Sequence, residues 1–144
     1  MTVRAVLKYK GGEITSVSPN ATAREIAETM AGQRIGSVLV LADDGSVAGI
    51  VSERDVVKAV AAGPERLAEA RAADMMTRHV IAASPETSVD EAMELMDSGY
   101  FRHLPVLENG RLVGIISIRD LVKYRIMQHE SDLDSLKRYI TRPS

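Results

Sequence analysis

Two nearly continuous apolar runs dominate the pattern of hydrophobic and polar positions along the chain. They are Val38–Leu41 and Leu104–Leu107, and strands that are buried on both faces read as runs of this kind. Each run leads into a polar turn, DDG or NG, and a second apolar stretch follows at 47–51 and at 112–116. Because polar turns with glycine between apolar stretches favour hairpins, the pattern predicts two hairpins of buried strands.

A helix and a short strand are predicted before each hairpin. Thr22-Ala-Arg-Glu25 and Ser88-Val-Asp-Glu91 have the S/T-x-x-E form of a capping box, and apolar residues then recur at helical spacing. Gly32 and Gly99 lie near the expected ends of these helices. The short strands are expected at Ile14–Val17 and Val80–Ala83.

These elements belong to an internal repeat. Residues 14–58 align with residues 80–123 with one deletion in the hairpin turn, and 15 of the 44 aligned positions are identical. The segment GIVSERD, Gly49–Asp55, returns as GIISIRD, Gly114–Asp120. Each unit reads β-α-β-β-α, and a unit of this size is too small to cover both faces of its own sheet. We therefore expect an α+β fold in which the two copies pack sheet to sheet around one shared core.

The remaining segments are predicted to be helical and to form one module with the repeats. The predicted organisation is an N-terminal helix at 1–12, the first repeat at 13–62, a linker helix at 63–78, the second repeat at 79–125 and a C-terminal helix at 126–144. In the last helix Ile126, Leu133 and Ile140 recur every seven residues. This spacing predicts packing on the module itself or on a second copy of the chain.

Composition narrows the classes of function. The net charge is −2 and the chain has no cluster of basic residues, which argues against a nucleic acid partner. No apolar run is long enough to span a membrane and the first residues lack the apolar stretch of a signal peptide, so we expect no membrane association and a cytoplasmic location. The absence of cysteine excludes a thiol nucleophile and a cysteine-based metal site.

The repeated segments Ser52–Asp55 and Ser117–Asp120 allow two interpretations. In a capping box the serine accepts a backbone N–H and the aspartate reaches back to the N-cap, and spacing alone slightly favours this interpretation. In a ligand site the helix N-terminus, the serine and the adjacent Arg54 or Arg119 would bind phosphate. The aspartate oxygens would then suit the vicinal hydroxyls of a ribose. The two interpretations are compatible, since one hydroxyl serves both.

The two copies, the order of their elements and the G-h-h-S-x-x-D junctions resemble a tandem pair of cystathionine-β-synthase (CBS) domains, often called a Bateman module. The resemblance covers about residues 1–125, and no catalytic domain accompanies it. It implies two repeats related by a pseudo-twofold axis, with flanking helices. It also implies that clefts between the repeats bind adenine nucleotides such as AMP, ADP, ATP or NAD(H), and that the module regulates another activity and forms a homodimer.

The resemblance further implies two composite nucleotide sites. Carried over by position, the first site would use Thr15, Gly36, Ser37, Val38, Arg102, His103, Ser117, Arg119 and Asp120. The second would use Ser52, Arg54, Asp55, Thr77, Val80, Ile81, His103 and Leu104. The two repeats differ just before the hairpin, RIGS against YFRH, so we expect unequal sites. The Arg102/His103 site is expected to favour a nucleotide with more phosphate, although His103 is equally open to a structural role.

Three classes of function follow from these observations. In the first, a nucleotide shifts the relative position of the repeats and the module signals to an unknown effector protein or through its dimer. Catalysis is rejected, because the chain has no nucleophile motif, no phosphate-binding loop and no cluster of metal ligands; we expect no catalytic residue and no metal. The alternative is a ligand-free module for dimerisation. An aspartate in both motifs argues mildly against it, because a cap alone would accept Glu or Gln.

Overall fold

Each repeat folds into a small sheet flanked by helices. The computed structural model of the protein describes residues 1–11 and 14–141. Its helices are α1 Val3–Lys10, α2 Ala23–Gln33, α3 Glu53–Ala61, α4 Pro64–Glu69, α5 Ala72–Met75, α6 Val89–Gly99 and α7 Ile118–Thr141. Its strands are β1 Ser16–Val17, β2 Ser37–Leu41, β3 Val47–Ser52, β4 His103–Glu108 and β5 Arg111–Ser117. This mixed architecture confirms the predicted α+β class.

Both hairpins form where the apolar pattern predicts them. β2 pairs antiparallel with β3, β4 pairs antiparallel with β5, and β1 adds to β2 in parallel. In the turns, Gly45, Asn109 and Gly110 adopt positive φ of 83°, 53° and 77°. Glycine and asparagine tolerate this region better than other residues, which explains why DDG and NG mark the turns.

The first strand of each repeat is shorter than predicted. β1 begins two residues later than expected, and the predicted strand Val80–Ala83 is wrong. Only Ala83 pairs with β4, through hydrogen bonds of 2.9 Å from its N–H to the Pro105 carbonyl and from the Leu107 N–H to its own carbonyl. The preceding Val80 and Ile81 line a cavity instead of pairing.

The helix starts follow the sequence signals more closely than the helix ends do. Thr22 and Glu25 form the complete capping box of α2, while Ser88 caps α6 by accepting the Glu91 N–H at 3.0 Å. The left-handed residues that end α2 and α6 are Arg34, with φ 55°, and Tyr100, with φ 57°. They lie two and one positions beyond the glycines at which the sequence predicts the ends.

The linker is two short helices rather than the single predicted one. Ala70 and Arg71 between α4 and α5 are extended. Arg71 forms an antiparallel bridge with Thr22, and the Ala72 N–H donates to the Ala21 carbonyl at 2.8 Å. The helix therefore breaks because the backbone at this point pairs with the first repeat.

Each repeat is covered by the helix that precedes the other repeat. α1 lies before the first repeat but packs on the second, where Val3 and Val6 are fully buried in the cluster that includes Leu121 of α7. The Val3 N–H donates to the Thr87 carbonyl at 2.8 Å. α5 lies before the second repeat but packs on the first, with Ala72 fully buried there. The repeats thus exchange their leading helices.

The buried residues form two clusters, one in each repeat, instead of the single shared core expected from the sequence. Val38 and Val40 of β2 belong to the first cluster, and Leu104 and Val106 of β4 belong to the second. Side chains alternate between the faces of a strand, so Leu39, which is fully buried, lies on the opposite face of β2. Ser37, on the same face of β2 as Leu39, lines a cavity together with His103 and Pro105 of β4, so this face is turned toward the other repeat, which explains why the runs are apolar throughout.

The first glycine of each repeated motif lies close to the segment that covers its repeat, which is Met76-Thr77 after α5 for Gly49 and Leu7 of α1 for Gly114. A Cβ at Gly49 would be 2.7 Å from both Met76 Sδ and the Thr77 carbonyl oxygen. A Cβ at Gly114 would be 2.6 Å from Leu7 Cδ2. Real Cβ atoms do not approach other atoms so closely, so both positions require glycine unless a neighbour moves.

Candidate ligand-binding site

A cavity of about 880 Å³ opens between the repeats at the N-terminus of α3. The two hairpins, the start of α3 and the segments after α5 and α6 all contribute to its wall. The lining residues are Gly36, Ser37, Ile50, Ser52, Glu53, Arg54, Asp55, Val57, Lys58, Thr77, His79, Val80, Ile81, Gly99, Tyr100, Phe101, Arg102, His103 and Pro105. Ligand pockets in proteins have volumes of about 300–1,000 Å³, so the cavity is large enough for a nucleotide-sized molecule.

Ser52 and Asp55 form a capping box at the edge of this cavity. Asp55 Oδ2 accepts hydrogen bonds from the Ser52 N–H at 2.9 Å and from the Ser52 hydroxyl at 3.0 Å, and the Asp55 N–H donates to Ser52 Oγ at 3.4 Å. The capping interpretation of the motif is therefore confirmed. Within the described residues, no hydrogen bond reaches the second carboxylate oxygen, Oδ1, which leaves an acceptor for a ligand.

Ser37 presents a buried polar atom in the same cavity. It is 6% exposed, and its hydroxyl has no hydrogen-bond partner within residues 1–11 and 14–141. Buried hydroxyls are nearly always hydrogen-bonded, and leaving one unsatisfied costs about 1–3 kcal/mol. Since Ser37 lines the cavity, a polar group of a ligand would satisfy it.

The charged side chains around the cavity are predominantly cationic. Arg54, Lys58 and Arg102 contribute positive charge, and Glu53 and Asp55 contribute negative charge. Glu53 is the first residue of α3. The Glu53 N–H at the start of α3 donates to the Gly36 carbonyl at 3.0 Å and the Asp55 N–H donates to Ser52 Oγ. This end of the cavity therefore suits an anionic group such as phosphate through the partial positive charge of the helix N-terminus and the nearby cations.

His103 lies where the two repeats approach each other. Its Cε1 atom is 3.8 Å from the position that a Cβ on Gly36 would occupy. Burial lowers the pKa of the His103 imidazole below its usual range; Asp120 and Glu53 act in the opposite direction, and Lys10 and Arg102 lower it further. The imidazole is therefore neutral at pH 7 and has one donor and one acceptor nitrogen.

The second motif has the same cap but a different neighbour. The Ser117 N–H donates to Asp120 Oδ2 at 2.8 Å, and the Asp120 N–H donates to Ser117 Oγ at 3.0 Å. In addition, Lys10 Nζ lies 2.7 Å from Asp120 Oδ2 and donates to the Ile115 carbonyl at 2.7 Å. Burial raises the pKa of Asp120, but hydrogen bonds from Lys10 and Ser117 outweigh it, so the pKa lies below its usual range.

The structure distributes the predicted site residues differently from the two sets expected. One cavity brings together Ser52, Arg54, Asp55, Thr77, Val80, Ile81 and His103 of the second set with Gly36, Ser37 and Arg102 of the first. Six others do not line it: Thr15, Val38, Leu104, Ser117, Arg119 and Asp120. Val38 and Leu104 are fully buried in the two clusters. Arg102 and His103 also adjoin the second motif, because His103 pairs with Ser117 in the β4–β5 register and the Ile118 N–H donates to the Arg102 carbonyl at 2.8 Å.

Several lining residues had no predicted role. They are Ile50, Glu53, Val57, Lys58, His79, Gly99 and Pro105. Tyr100 and Phe101, the aromatic residues of the YFRH segment that the sequence places near the cleft, also line the cavity. The repeat itself offers a signal for Lys58, because Lys58 and Lys123 occupy matching positions. No signal in the sequence identifies Lys10, since its contact with Asp120 depends on the exchange of helices.

Residues 1–11 and 14–141 contain neither a cluster of metal ligands nor a helix suited to span a membrane. No group of three or more His, Asp or Glu side chains within them is placed to hold a metal ion. None of the helices there is long and apolar enough to cross a membrane.

Comparison with known proteins identifies the architecture. The sequence model of the CBS domain matches residues 10–62 and 72–126. A crystal structure of a CBS-domain-containing protein from Agrobacterium tumefaciens is 43% identical, has a TM-score of 0.81, and the match covers 86% of this chain and 92% of that one. The mitochondrial CBS domain-containing protein CBSX3 of Arabidopsis thaliana is 29% identical over 96% of this chain and 71% of its own length.

A third similar protein was solved with ligands. The CBS domain pair of protein MJ0100, in complex with 5′-methylthioadenosine and S-adenosyl-L-methionine, is 22% identical, with a TM-score of 0.77 over 89% of this chain and 98% of that one. This likeness shows the fold. Proteins with CBS pairs are regulatory modules and are generally not catalytic. The two family matches cover most of the chain, and the chain belongs to the CBS domain family, with two CBS domains in tandem.

Proposed function

We propose that this chain is a non-catalytic sensor that binds an adenine nucleotide in the cavity at Ser52–Asp55. The observation that carries the proposal is the unsatisfied hydroxyl of Ser37, which is buried and lines a cavity of about 880 Å³. A groove that binds no ligand has no need of a buried hydroxyl at this position, because buried polar groups are nearly always hydrogen-bonded. A ligand with a polar edge, such as a nucleobase, gives the hydroxyl its hydrogen bond.

The walls of the cavity suggest how such a ligand is oriented. The N-terminus of α3, with Arg54 and Lys58, suits the phosphate. Asp55 keeps one carboxylate oxygen for the ribose hydroxyls. The base then lies toward Ser37 and Gly36, where a side chain on Gly36 would narrow the space further, because its Cβ would be 3.3 Å from Glu53 Oε1 and 3.8 Å from His103 Cε1.

The cationic lining favours ligands with more than one phosphate. Arg54, Lys58 and Arg102 all reach the cavity, and a single phosphate would not engage three cations. ADP, ATP and NAD(H) are therefore preferred over AMP in this proposal. The complex of MJ0100 with two adenosine-containing molecules supports an adenosine-type ligand, since a pair of the same fold accommodates that group.

Binding is proposed to signal by changing how the two repeats sit against each other. The cavity wall comes from both repeats, with Ser52 and Asp55 from the first and Arg102 and His103 from the second. A ligand that contacts both stabilises one relative position by its difference in affinity for the two. The change reaches an effector protein or a second copy of the chain.

Thermal unfolding in the presence of AMP, ADP, ATP, NAD, NADH and S-adenosylmethionine tests the proposal. A ligand at about a hundred times its dissociation constant adds about 2.7 kcal/mol to the free energy of unfolding, which raises the midpoint by several degrees. Asp55→Asn should fold and lose that shift. Asn keeps a single acceptor oxygen for the cap and replaces the other with an N–H donor.

Asp74→Asn is the matched control for the loss of a capping carboxylate. Asp74 Oδ2 accepts the Arg71 N–H at 3.0 Å at the start of α5, and Asp74 does not line the cavity. This variant should keep the ligand shift. The proposal fails if no nucleotide raises the midpoint, or if Asp55→Asn responds as the wild type does.

We also propose that two copies of the chain pair through α3 and α7. Val57 and Val60 on α3 are 64% and 56% exposed, and Val122 and Ile126 on α7 are 43% and 54% exposed. Apolar side chains grouped on helices in this way mark interaction surfaces. A dimer has twice the 15.6 kDa of the chain, and light scattering of the purified protein measures that mass directly. If the nucleotides fail and the dimer forms, the chain is a dimerisation module.

A further inference from the structure

The second half of α7 leaves the body of the protein. The first half of the helix packs on the second repeat, where Leu121 and Tyr124 are buried. From residue 129 to residue 140 every side chain is exposed, so the module itself does not cover this stretch within residues 1–11 and 14–141. A helix of about 12–15 residues or fewer is only marginally stable in water when nothing packs on it. A partner that covers the stretch would therefore stabilise it.

A stripe of mainly apolar side chains, here called the α7 seam, runs along the exposed side of the helix. Its members follow one another at alternating spacings of four and three residues, and they are Val122, Ile126, His129, Leu133, Leu136 and Ile140. The five apolar members are 42–70% exposed. Alternating spacings of four and three are the heptad pattern of a coiled coil. Ile126 and Ile140 occupy a positions and Leu136 a d position, a combination that favours two strands.

The charged residues beside the α7 seam favour a parallel pair of helices. In a parallel coiled coil each g position faces the next e position of the other helix. Arg125 would then face Glu130, and Asp132 would face Lys137, so both contacts join opposite charges. An antiparallel pair that covers the whole seam is centred on Ser131 and sets Glu130 and Asp132 each beside its own copy. An antiparallel pair shifted by one heptad leaves part of the seam uncovered.

We propose that α7 binds α7 of a second copy of this chain along the α7 seam, as a parallel coiled coil in register. The inference rests on the dimer proposed above and gives that dimer its arrangement. Both helices leave their modules in the same direction, so the two modules lie side by side at the start of a coil that is about 27 Å long. His129, the polar member of the seam, would face its own copy. A polar residue at one core position fixes the register of a coiled coil at some cost in stability.

Disulfide cross-linking of the full chain tests the arrangement, because the chain has no cysteine and each variant carries one thiol. Ile126→Cys and Ile140→Cys should each form a covalent dimer in a glutathione redox buffer. At about 10 μM chain this should be roughly 100-fold faster than between unassociated chains, because the effective concentration within a coil is millimolar. Ser131→Cys, at an exposed position outside the seam, is the matched control and should react at the slow rate. In the antiparallel pair centred on Ser131, the two copies of residue 126 would be about 15 Å apart, and those of residue 140 about 27 Å.

Reversing one charge tests the same contact without cysteine. Asp132→Lys would place like charges at both copies of the contact with Lys137, and light scattering over a dilution series should show the dissociation constant of the dimer rising about tenfold. Asp132→Lys with Lys137→Asp should restore it. Helix neighbours are three or four residues apart, so a rescue between positions five apart reports a contact between chains. Arg125 is not used, because it already pairs with Asp90 of its own chain.

The outcomes separate this inference from the proposed dimer and from nucleotide binding. If the wild type has the mass of one chain in solution, both the dimer and the coiled coil are wrong. If it is a dimer but Ile140→Cys reacts no faster than Ser131→Cys, the coiled coil alone is wrong, even where Ile126→Cys reacts quickly. A double charge variant that stays as weak as Asp132→Lys also overturns the parallel arrangement. Thermal shifts with nucleotides do not bear on any of these results.

Discussion

Replacing Gly49 with alanine tests the close contact between the first motif and Met76-Thr77, the segment that follows α5. The new Cβ would lie 2.7 Å from the Thr77 carbonyl oxygen and 2.7 and 2.8 Å from Sδ and Cγ of Met76. The Thr77 carbonyl accepts the Ile50 N–H, and the Thr77 N–H donates to the Ile50 carbonyl. The Thr77 backbone therefore cannot move without breaking those bonds. At Gly114 the only contact under 3.0 Å is with the end of the Leu7 side chain.

The expected loss of stability at Gly49 follows from two opposing effects. Overpacking a core position costs about 1–3 kcal/mol, and contact with a fixed backbone atom places Gly49 at the upper end. Alanine also has fewer conformations than glycine in the unfolded chain, which stabilises the folded protein by about 0.4–1 kcal/mol. Gly49→Ala should therefore lose about 2 kcal/mol. Gly114→Ala should lose less than about 1 kcal/mol, because Leu7 is flexible enough to change rotamer.

Urea and thermal unfolding measure these differences. For a chain of this length about 1 kcal/mol corresponds to roughly 4 °C in the midpoint, so Gly49→Ala should melt about 8 °C below the wild type. Gly32→Ala is the control, because nothing lies within 4 Å of its Cβ position, and it should gain about 0.5–1 kcal/mol from helix propensity. Equal losses at Gly49 and Gly114, or no loss at Gly49, would refute the reasoning.

Two further predictions concern charge and backbone strain. Because the folded-state pKa of Asp120 lies below the unfolded value of about 3.9, its stabilisation is complete above that pH and is lost as the pH falls through the folded-state pKa. Urea unfolding should therefore show Asp120→Asn less stable than the wild type by about 1.5–3 kcal/mol at pH 7, with a difference that narrows as the pH falls below about 3.9; a difference that stays constant in acid would contradict this. Tyr100, with φ 57° and 94% exposed, and Arg34, with φ 55°, both adopt the left-handed region that glycine tolerates best. Tyr100→Gly and Arg34→Gly should therefore each raise the free energy of unfolding by up to about 1 kcal/mol. A thermal midpoint that falls in both variants would be evidence against strain.

The features that the sequence predicts well are those that depend on neighbouring residues. The apolar runs and the polar turns between them specify both hairpins, and the S/T-x-x-E pattern places the start of α2 and α6. The repeat of Gly49–Asp55 at Gly114–Asp120 identifies the motif and its cap. In each case the signal lies within a few residues of the feature, where local geometry determines the structure.

The features that the sequence does not predict depend on contacts between distant segments. No periodicity in residues 2–10 shows that α1 packs on the second repeat rather than on the first. For the same reason the ion pair of Lys10 with Asp120 is not predicted. That Arg102 lines the cavity at Ser52–Asp55 depends on the relative position of the two hairpins, and a repeat alignment does not contain that information. Ser84-Pro85 marks where the pairing with β4 ends, but nothing in the sequence shows that Ala83 pairs alone.

The exchange of helices has a consequence for how the protein is completed during synthesis. α1 leaves the ribosome before the residues on which it packs, and its bond from Val3 reaches Thr87, with Leu121 of the same cluster following later still. At about 5–20 residues per second, this interval lasts roughly 4–17 s. Throughout it the apolar face of α1, with Val3 and Val6, has no native surface to cover it. Translation therefore does not release two folded halves in succession, and a nascent chain that stops after the first repeat exposes α1 to chaperones or to aggregation.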